Sequence, residues 1–226
     1  MTRPLIVAID GPSGAGKSTL SRQLAQALGY THIDTGAMYR AVALAAAQRG
    51  VHPEDAEALE RLCASLVLRF LRQPDGSQRV LLDGVDVTEA IRTPANSLLT
   101  SRVSAQPVVR AAMVALQRQM GEDGSVVLEG RDIGSVVFPQ AQVKFFLTAT
   151  AEERGRRRYE ELRAQGLSVT LEQTVADVVA RDRADSERSH APLVAADDAI
   201  LVDSSQLAID QVLQQMLEKV RERRRQ

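Results

Sequence analysis

Residues 5–19 constrain the chain more than any other stretch. An apolar, β-branched run, Leu5-Ile6-Val7-Ala8-Ile9, passes through Asp10 into Gly11-Pro12-Ser13-Gly14-Ala15-Gly16-Lys17-Ser18-Thr19. Strand, glycine-rich turn and helix start follow one another in the context a phosphate-binding loop requires, and the spacing fits G-x-x-x-x-G-K-[ST] with nothing inserted. Gly11, Gly14 and Gly16 let backbone N–H groups approach phosphate oxygens without a Cβ in the way, and Pro12 stiffens the turn. The helix opening near Gly16 aims its unpaired N–H groups and positive dipole end at the same anion. Lys17 reaches β- and γ-phosphate oxygens as a point charge, and the Ser18 hydroxyl is a ligand for Mg²⁺. A glycine turn that binds nothing is the alternative, and the intact strand, motif and helix argue against it. The run from Gly11 to Thr19, with Ser13 and Ala15 between the glycines, is read as a nucleotide cradle.

With 226 residues, 44% hydrophobic and 25% charged, the chain can bury a sizeable core as one α/β domain with room for an insertion. Its net charge of -1 supplies no blanket basic surface, which argues against nucleic acid as a partner. Cys63 is the single cysteine, so an internal disulfide is excluded and a reducing cytoplasm suits the chain. No signal-like series opens the chain, and no apolar run approaches the roughly 20 residues of a membrane helix. A cytoplasmic protein without a membrane is expected, and a monomer, since no exposed heptad asks for a partner.

Further along, 17–28 reads as a helix stopped by Gly29, and an extended piece at 30–33 delivers Asp34-Thr35-Gly36-Ala37-Met38-Tyr39-Arg40 into a helix over 36–48. Small polar residues before a helix make a second possible anion site, or an ordinary cap with a surface Arg40. A short helix at 53–65 precedes strand-like runs at 66–71, 79–82 and 85–87, separated by Pro74-Asp75-Gly76 and Asp83-Gly84. Asp-Gly between such runs signals a hairpin, so a small antiparallel sheet is inserted into an alternating β and α chain. Too small to stand alone, it is expected to rest on the main domain and to move with ligand. Helices at 95–104 and 107–120 lead to a strand at 125–128 and Glu129-Gly130-Arg131-Asp132-Ile133-Gly134. Open α/β sheets bind ligands at such strand ends, which makes Arg131 and Asp132 site candidates, or else a salt-bridged pair.

A strand at 143–147 is followed by a helix from 151 carrying Arg154, Arg156, Arg157 and Arg158 among glutamates. Glu153 with Arg157, and Arg157 with Glu161, are spaced to pair without any function; the other reading is a lid whose guanidinium groups neutralise a phosphoryl group in transfer. Thr170 and Gln173 fit a capping box. Beyond it, Arg181, Asp185 and Arg188 fall at i, i+4, i+7 on one helix face. A last strand at 199–202 and a closing helix at 206–225 complete the chain. A GTPase would need an Asn-Lys-x-Asp motif, which is missing, and no apolar strand clearly ends in a lone Asp. Phosphoryl transfer between small molecules is the economical reading; a nucleotide-dependent switch without catalysis and a P-loop kinase of another small acceptor stay open.

Gly-Pro-Ser-Gly-Ala-Gly-Lys-Ser-Thr at 11–19, Asp-Thr-Gly-Ala-Met-Tyr-Arg at 34–40, Gly-Arg-Asp-Ile-Gly at 130–134, Arg-Asp-x-x-Asp at 181–185 and Ala-Pro-Leu at 191–193 resemble bacterial cytidylate kinases in sequence and order. Thr35 stands where that family often has Ser, and Gly155 among the arginines weakens helix propensity, so a looser lid helix is expected. The resemblance implies an α/β P-loop kinase: a central parallel sheet flanked by helices, core 1–60 and 101–226, an inserted antiparallel lobe at about 61–100 that binds the nucleoside monophosphate, and a helical lid at about 151–168. It implies transfer of the γ-phosphoryl group of ATP to CMP or dCMP with Mg²⁺. By the same resemblance Ser101, Arg110 and Asp132 surround cytosine, Thr35, Tyr39, Arg40, Arg131 and Arg188 hold the acceptor phosphate, and Arg181 with Asp185 holds the ribose. Lys17, Arg131, Arg154 and Arg158 would act on the transferring group. The nucleophile is already a phosphate oxyanion, so no strong base is needed and His32, His52 and His190 are left out of the mechanism.

Overall fold

The computed structural model describes residues 4–73, 77–188 and 191–225; the expected turn at 74–76 and His190 lie outside them. The chain divides into two compact units, residues 33–122 and the remainder.

The larger unit is built on a five-stranded sheet. β1 (Ile6–Asp10) lies at its centre, pairing in parallel with β6 (Val126–Glu129) on one side and β7 (Val143–Thr148) on the other, and β8 (Ile200–Asp203) extends the sheet beyond β7. β2 (Thr31–Asp34) forms the opposite edge, giving the order β2-β6-β1-β7-β8. A strand covered on both faces needs an unbroken apolar run, and Val7, Ala8 and Ile9 are fully buried. α1 (Lys17–Leu28) sets Leu20 and Leu24, one turn apart, into the core. α8 (Ile209–Arg224) adds Val212, Met216 and Val220 at the same spacing. Gly29 ends α1 in the left-handed conformation expected of a helix stop. α6 (Ala151–Ala164) and α7 (Leu171–Ser186) begin on Thr150 and Thr170, whose hydroxyls accept from the backbone N–H groups of Glu153 and Gln173.

The other unit holds helices α2 (Thr35–Gln48), α3 (Ala56–Ser65), α4 (Pro94–Val103) and α5 (Pro107–Gly121), with a 3₁₀ turn at Ala90–Arg92. Its sheet is the expected antiparallel one: β3 (Leu68–Arg72), β4 (Gln78–Leu82) and β5 (Val85–Asp86), with Leu68 opposite Leu82 and Leu82 opposite Val85. Asp83 and Gly84 both take positive φ, 50° and 84°, the pair of left-handed residues that a tight hairpin turn demands. The helix read over 53–65 starts later, at Ala56, because the Asp55 carboxylate accepts from Ala58 N at 3.0 Å and fixes the cap there.

Candidate active site

The glycine loop leaves β1 under a tight steric constraint. At Gly11, φ is 144° and a Cβ would lie 1.9 Å from the Leu147 carbonyl oxygen of β7, so only glycine passes. Three loop carbonyls are tied down: Pro12 O accepts from Lys17 Nζ at 2.7 Å, Ser13 O from Arg154 Nη1 at 3.1 Å, and Ala15 O from Ser204 Oγ at 3.1 Å. Gly16 caps α1 with φ 90° and offers no side chain to its first turn, which leaves that turn's N–H groups without a side-chain cap. Burial and the nearby charge of Arg131 push the Lys17 ammonium well below the usual lysine range.

Ser18 Oγ donates to Glu129 Oε2 at 2.7 Å. Burial alone would raise the Glu129 carboxyl, but His32, Lys17 and Ser18 hold it below its ordinary value, so a carboxylate stands at the end of β6 beside the loop. This acid closes an apolar strand, Val126-Val127-Leu128-Glu129, which is the signal sequence reading missed by seeking only Asp. Asp10, passed over between strand and loop, accepts from Ile133 N at 2.8 Å and Gly134 N at 2.7 Å. Those N–H groups open a π-helical turn, Ile133–Val137, that the sequence did not reveal, and Asp132 precedes it as a buried residue. Burial raises the Asp10 carboxyl to about 6.

In the same unit Asp185, 2% exposed, gathers two arginines. Arg131 Nε donates to its Oδ2 at 2.9 Å, and Arg188 Nη2 donates to Oδ1. Burial would raise the Asp185 carboxyl, yet Arg131, Arg188 and the charge of half-buried Arg181 hold it low. Arg188 does not share a helix face with Arg181 and Asp185 as expected: α7 ends at Ser186, and Arg188 folds back from beyond it. Leu193 N, in the Ala-Pro-Leu segment, donates to the Asp185 carbonyl at 2.9 Å.

The α6 arginines have separate surroundings. Arg154 is buried, with Nε donating to Ala149 O and Nη1 and Nη2 to Asp182 at 2.9 and 2.5 Å. Arg158 pairs with Glu161 at 2.7 Å, both substantially exposed, so Glu161 does not take the Arg157 partner that spacing suggested. Arg157 pairs with Glu153 at 2.9 Å and donates to Ser204 O at 2.7 Å. Gly155 does not loosen this helix. α6 runs unbroken, and a Cβ at Gly155 would lie 2.4 Å from Val175 Cγ2, so glycine is what lets α7 approach.

The unit of residues 33–122 holds the remaining candidates. Thr35, Tyr39 and Arg40 lie on the first turns of α2, above the Asp34 cap, whose Oδ1 accepts from Ala37 N at 2.9 Å. Arg110 of α5 is buried, its guanidinium carbon 5.7 Å from the Tyr39 ring centroid, and Nη1 reaches Ser104 O at 3.5 Å. Ser104 Oγ in turn donates to Ser101 O at 3.3 Å, so α4, α5 and α2 contribute to one cluster.

Among known proteins, the cytidylate kinase family model matches residues 7–222. The cytidylate kinase of Syntrophotalea carbinolica is 65% identical over 99% of this chain and 94% of its own length. That of Geobacter sulfurreducens is 59% identical over 99% and 95%. A shikimate kinase structure from Bacteroides thetaiotaomicron shares the fold, with a TM-score of 0.52 at 14% identity over 96% of this chain and 98% of that one. With a family model and relatives of this identity spanning nearly its whole length, the chain belongs to the cytidylate kinase family.

Proposed function

We propose that the protein transfers the γ-phosphoryl group of ATP to CMP or dCMP, giving ADP and CDP or dCDP. The observation that carries the reading is the loop itself, with Lys17 and Ser18 seated beside a buried Glu129 carboxylate in a chain of this family. Residues 11–19 hold the ATP phosphates. Lys17 exchanges the Pro12 carbonyl for phosphate oxygens, and an anion there offsets the burial that depresses its ammonium. The Ser18 hydroxyl and Glu129 carboxylate are hard oxygen donors of the kind Mg²⁺ prefers, so the residues present fit the ion, with Ser18 holding it and Glu129 orienting Ser18. Mg²⁺, when bound, neutralises charge on the phosphates.

On the acceptor side, Thr35, Tyr39, Arg40, Arg131 and Arg188 bind the CMP phosphate and Arg181 with Asp185 the ribose. Ser101, Arg110 and Asp132 read the base. A carboxylate accepts from the cytosine amino group, whereas uracil sets a carbonyl against it, and Arg110 donates to the cytosine carbonyl and ring nitrogen. A phosphate oxygen of the acceptor then bonds to the γ-phosphorus as the bond to the ADP oxygen breaks, and no proton must move. Arg158, whose exposed partner Glu161 holds it weakly, swings onto the transferring group, while Arg154 adds positive charge beside Ser13 from its fixed place. In this reading residues 61–100 are the acceptor-binding lobe and 151–168 the lid, and the protein is a cytoplasmic monomer acting on small molecules, not nucleic acid. Its near-neutral charge and lone Cys63 support that. Among the described residues no helix is long and apolar enough to cross a membrane.

ADP release with Mg²⁺ and ATP, offering CMP, dCMP, UMP, AMP, GMP and shikimate in parallel, tests the reading. Fast turnover with CMP and dCMP and weak turnover with UMP is expected; ATP binding with silence from every acceptor would replace the kinase by a nucleotide switch.

A further inference from the structure

His32 enters no step of the reaction above, yet its ring is turned toward Glu129, the partner of the Ser18 hydroxyl. Its Nε2 lies 2.9 Å from Ser21 Oγ and 3.1 Å from Glu129 Oε1. Ser21 Oγ donates to the same Oε1 at 3.1 Å, and Ser21 is fully buried on α1, one turn beyond Ser18. One carboxylate oxygen therefore faces two donors from two different elements, β2 and α1. The other, Oε2, accepts from the Ser18 hydroxyl at 2.7 Å. An acceptor oxygen held from two directions fixes the carboxylate plane, and that plane decides where the Ser18 hydroxyl hydrogen must point. With the hydrogen directed at Oε2, the Ser18 lone pairs are left turned away from Glu129.

We propose that His32, with Ser21, is a positioning residue for the metal ligand: it sets the Glu129 carboxylate, and through it the orientation of the Ser18 hydroxyl toward the nucleotide-bound divalent cation. The inference rests on the proposed role of Ser18 toward Mg²⁺. Outer partners that orient ligands typically change metal affinity about 10–100-fold when removed, so the effect is measurable without turnover. The arrangement needs a donor at Nε2 and does not need a charged ring, because a neutral imidazole protonated there already satisfies Glu129.

The test compares wild type with His32→Leu, which removes the donor, and His32→Gln, whose side-chain amide restores one at similar reach. Mn²⁺ affinity of the ADP complex is read by electron paramagnetic resonance, and CMP affinity by calorimetry. His32→Leu is expected to weaken Mn²⁺ binding roughly tenfold or more with CMP binding unchanged, and His32→Gln to recover most of the loss. Unchanged Mn²⁺ affinity in folded His32→Leu, or His32→Gln as weak as His32→Leu, overturns the proposal. If His32→Leu does not fold, Ser21→Ala carries the same comparison, with the same weakened Mn²⁺ binding expected and an unchanged affinity contradicting. Weakened Mn²⁺ binding alongside a wild type that phosphorylates no cytidine nucleotide would keep this inference and reject the proposed acceptor instead.

Discussion

Burial and Arg131 both disfavour the Lys17 ammonium, and in the proposed role a bound phosphate would offset that cost. Lys17→Ala should lower kcat by roughly 10²–10³, the loss typical of one transition-state donor, with the circular dichroism spectrum and Tm preserved; retained turnover would deny Lys17 its phosphate. Asp132→Ala should raise KM for CMP by roughly ten- to a hundredfold, one charged hydrogen bond contributing about 1.5–3 kcal/mol, and leave KM for ATP nearly unchanged. Equal effects on both substrates would remove Asp132 from base reading. Asp10 makes a pH prediction. Its carboxyl rises from 3.8 to about 6 on folding, so the folded state binds the extra proton between those values. This contribution to stability is complete below pH 3.8 and lost as pH climbs through 6, about 3 kcal/mol in order of magnitude. Measured by urea unfolding, the stability of wild type relative to Asp10→Asn should fall between pH 4.5 and 7.5, and a flat difference would contradict the burial argument. The loop residues were legible because their spacing is local. Glu129 and Asp10 were not, because their partners lie 111 and 123 residues away and only the parallel pairing of β1 with β6 brings them together.

Elements carry a different lesson, in which local signals give the helix or strand and packing decides how it is used. The Asp83-Gly84 hairpin was readable because a two-residue turn allows few backbones. The π-helical turn after Asp132 was not, since it depends on a distant carboxylate receiving its first N–H groups. Gly155 misleads in the same way. Helix propensity marks it as a weakness of about 1 kcal/mol, whereas the 2.4 Å approach to Val175 makes it a packing necessity. Gly155→Ala should therefore lose stability despite its better propensity, by about 1–3 kcal/mol net of overpacking, with Tm falling roughly 2–4 °C per kcal/mol in a chain of this size. A raised Tm would show that α7 yields to the added methyl. Arg188 was misplaced on α7 because periodicity cannot see that the helix stops at Ser186 and that Asp185 draws the following strand of chain back.

For the molecule as a whole, the alternation of apolar strands and amphipathic helices made the α/β class and the inserted antiparallel sheet readable, since each rests on patterns a few residues long. What composition could not supply is the gathering of charge. Lys17, Arg131, Arg181 and Arg188, far apart in the sequence of the larger unit, are balanced there by Glu129, Asp10 and Asp185, so a chain with net charge of -1 still gathers a strongly polarised cluster. The most direct measurement follows the phosphorus: γ-³²P-labelled ATP, Mg²⁺ and CMP are incubated with the protein and the products separated by chromatography. Label is expected in CDP, with little as inorganic phosphate, and labelled CDP is expected to be lost when CMP is omitted or Lys17 is replaced by Ala. Label that appears only as inorganic phosphate, or stays in ATP while the protein binds it, would contradict the assignment of a CMP-directed phosphoryl transfer.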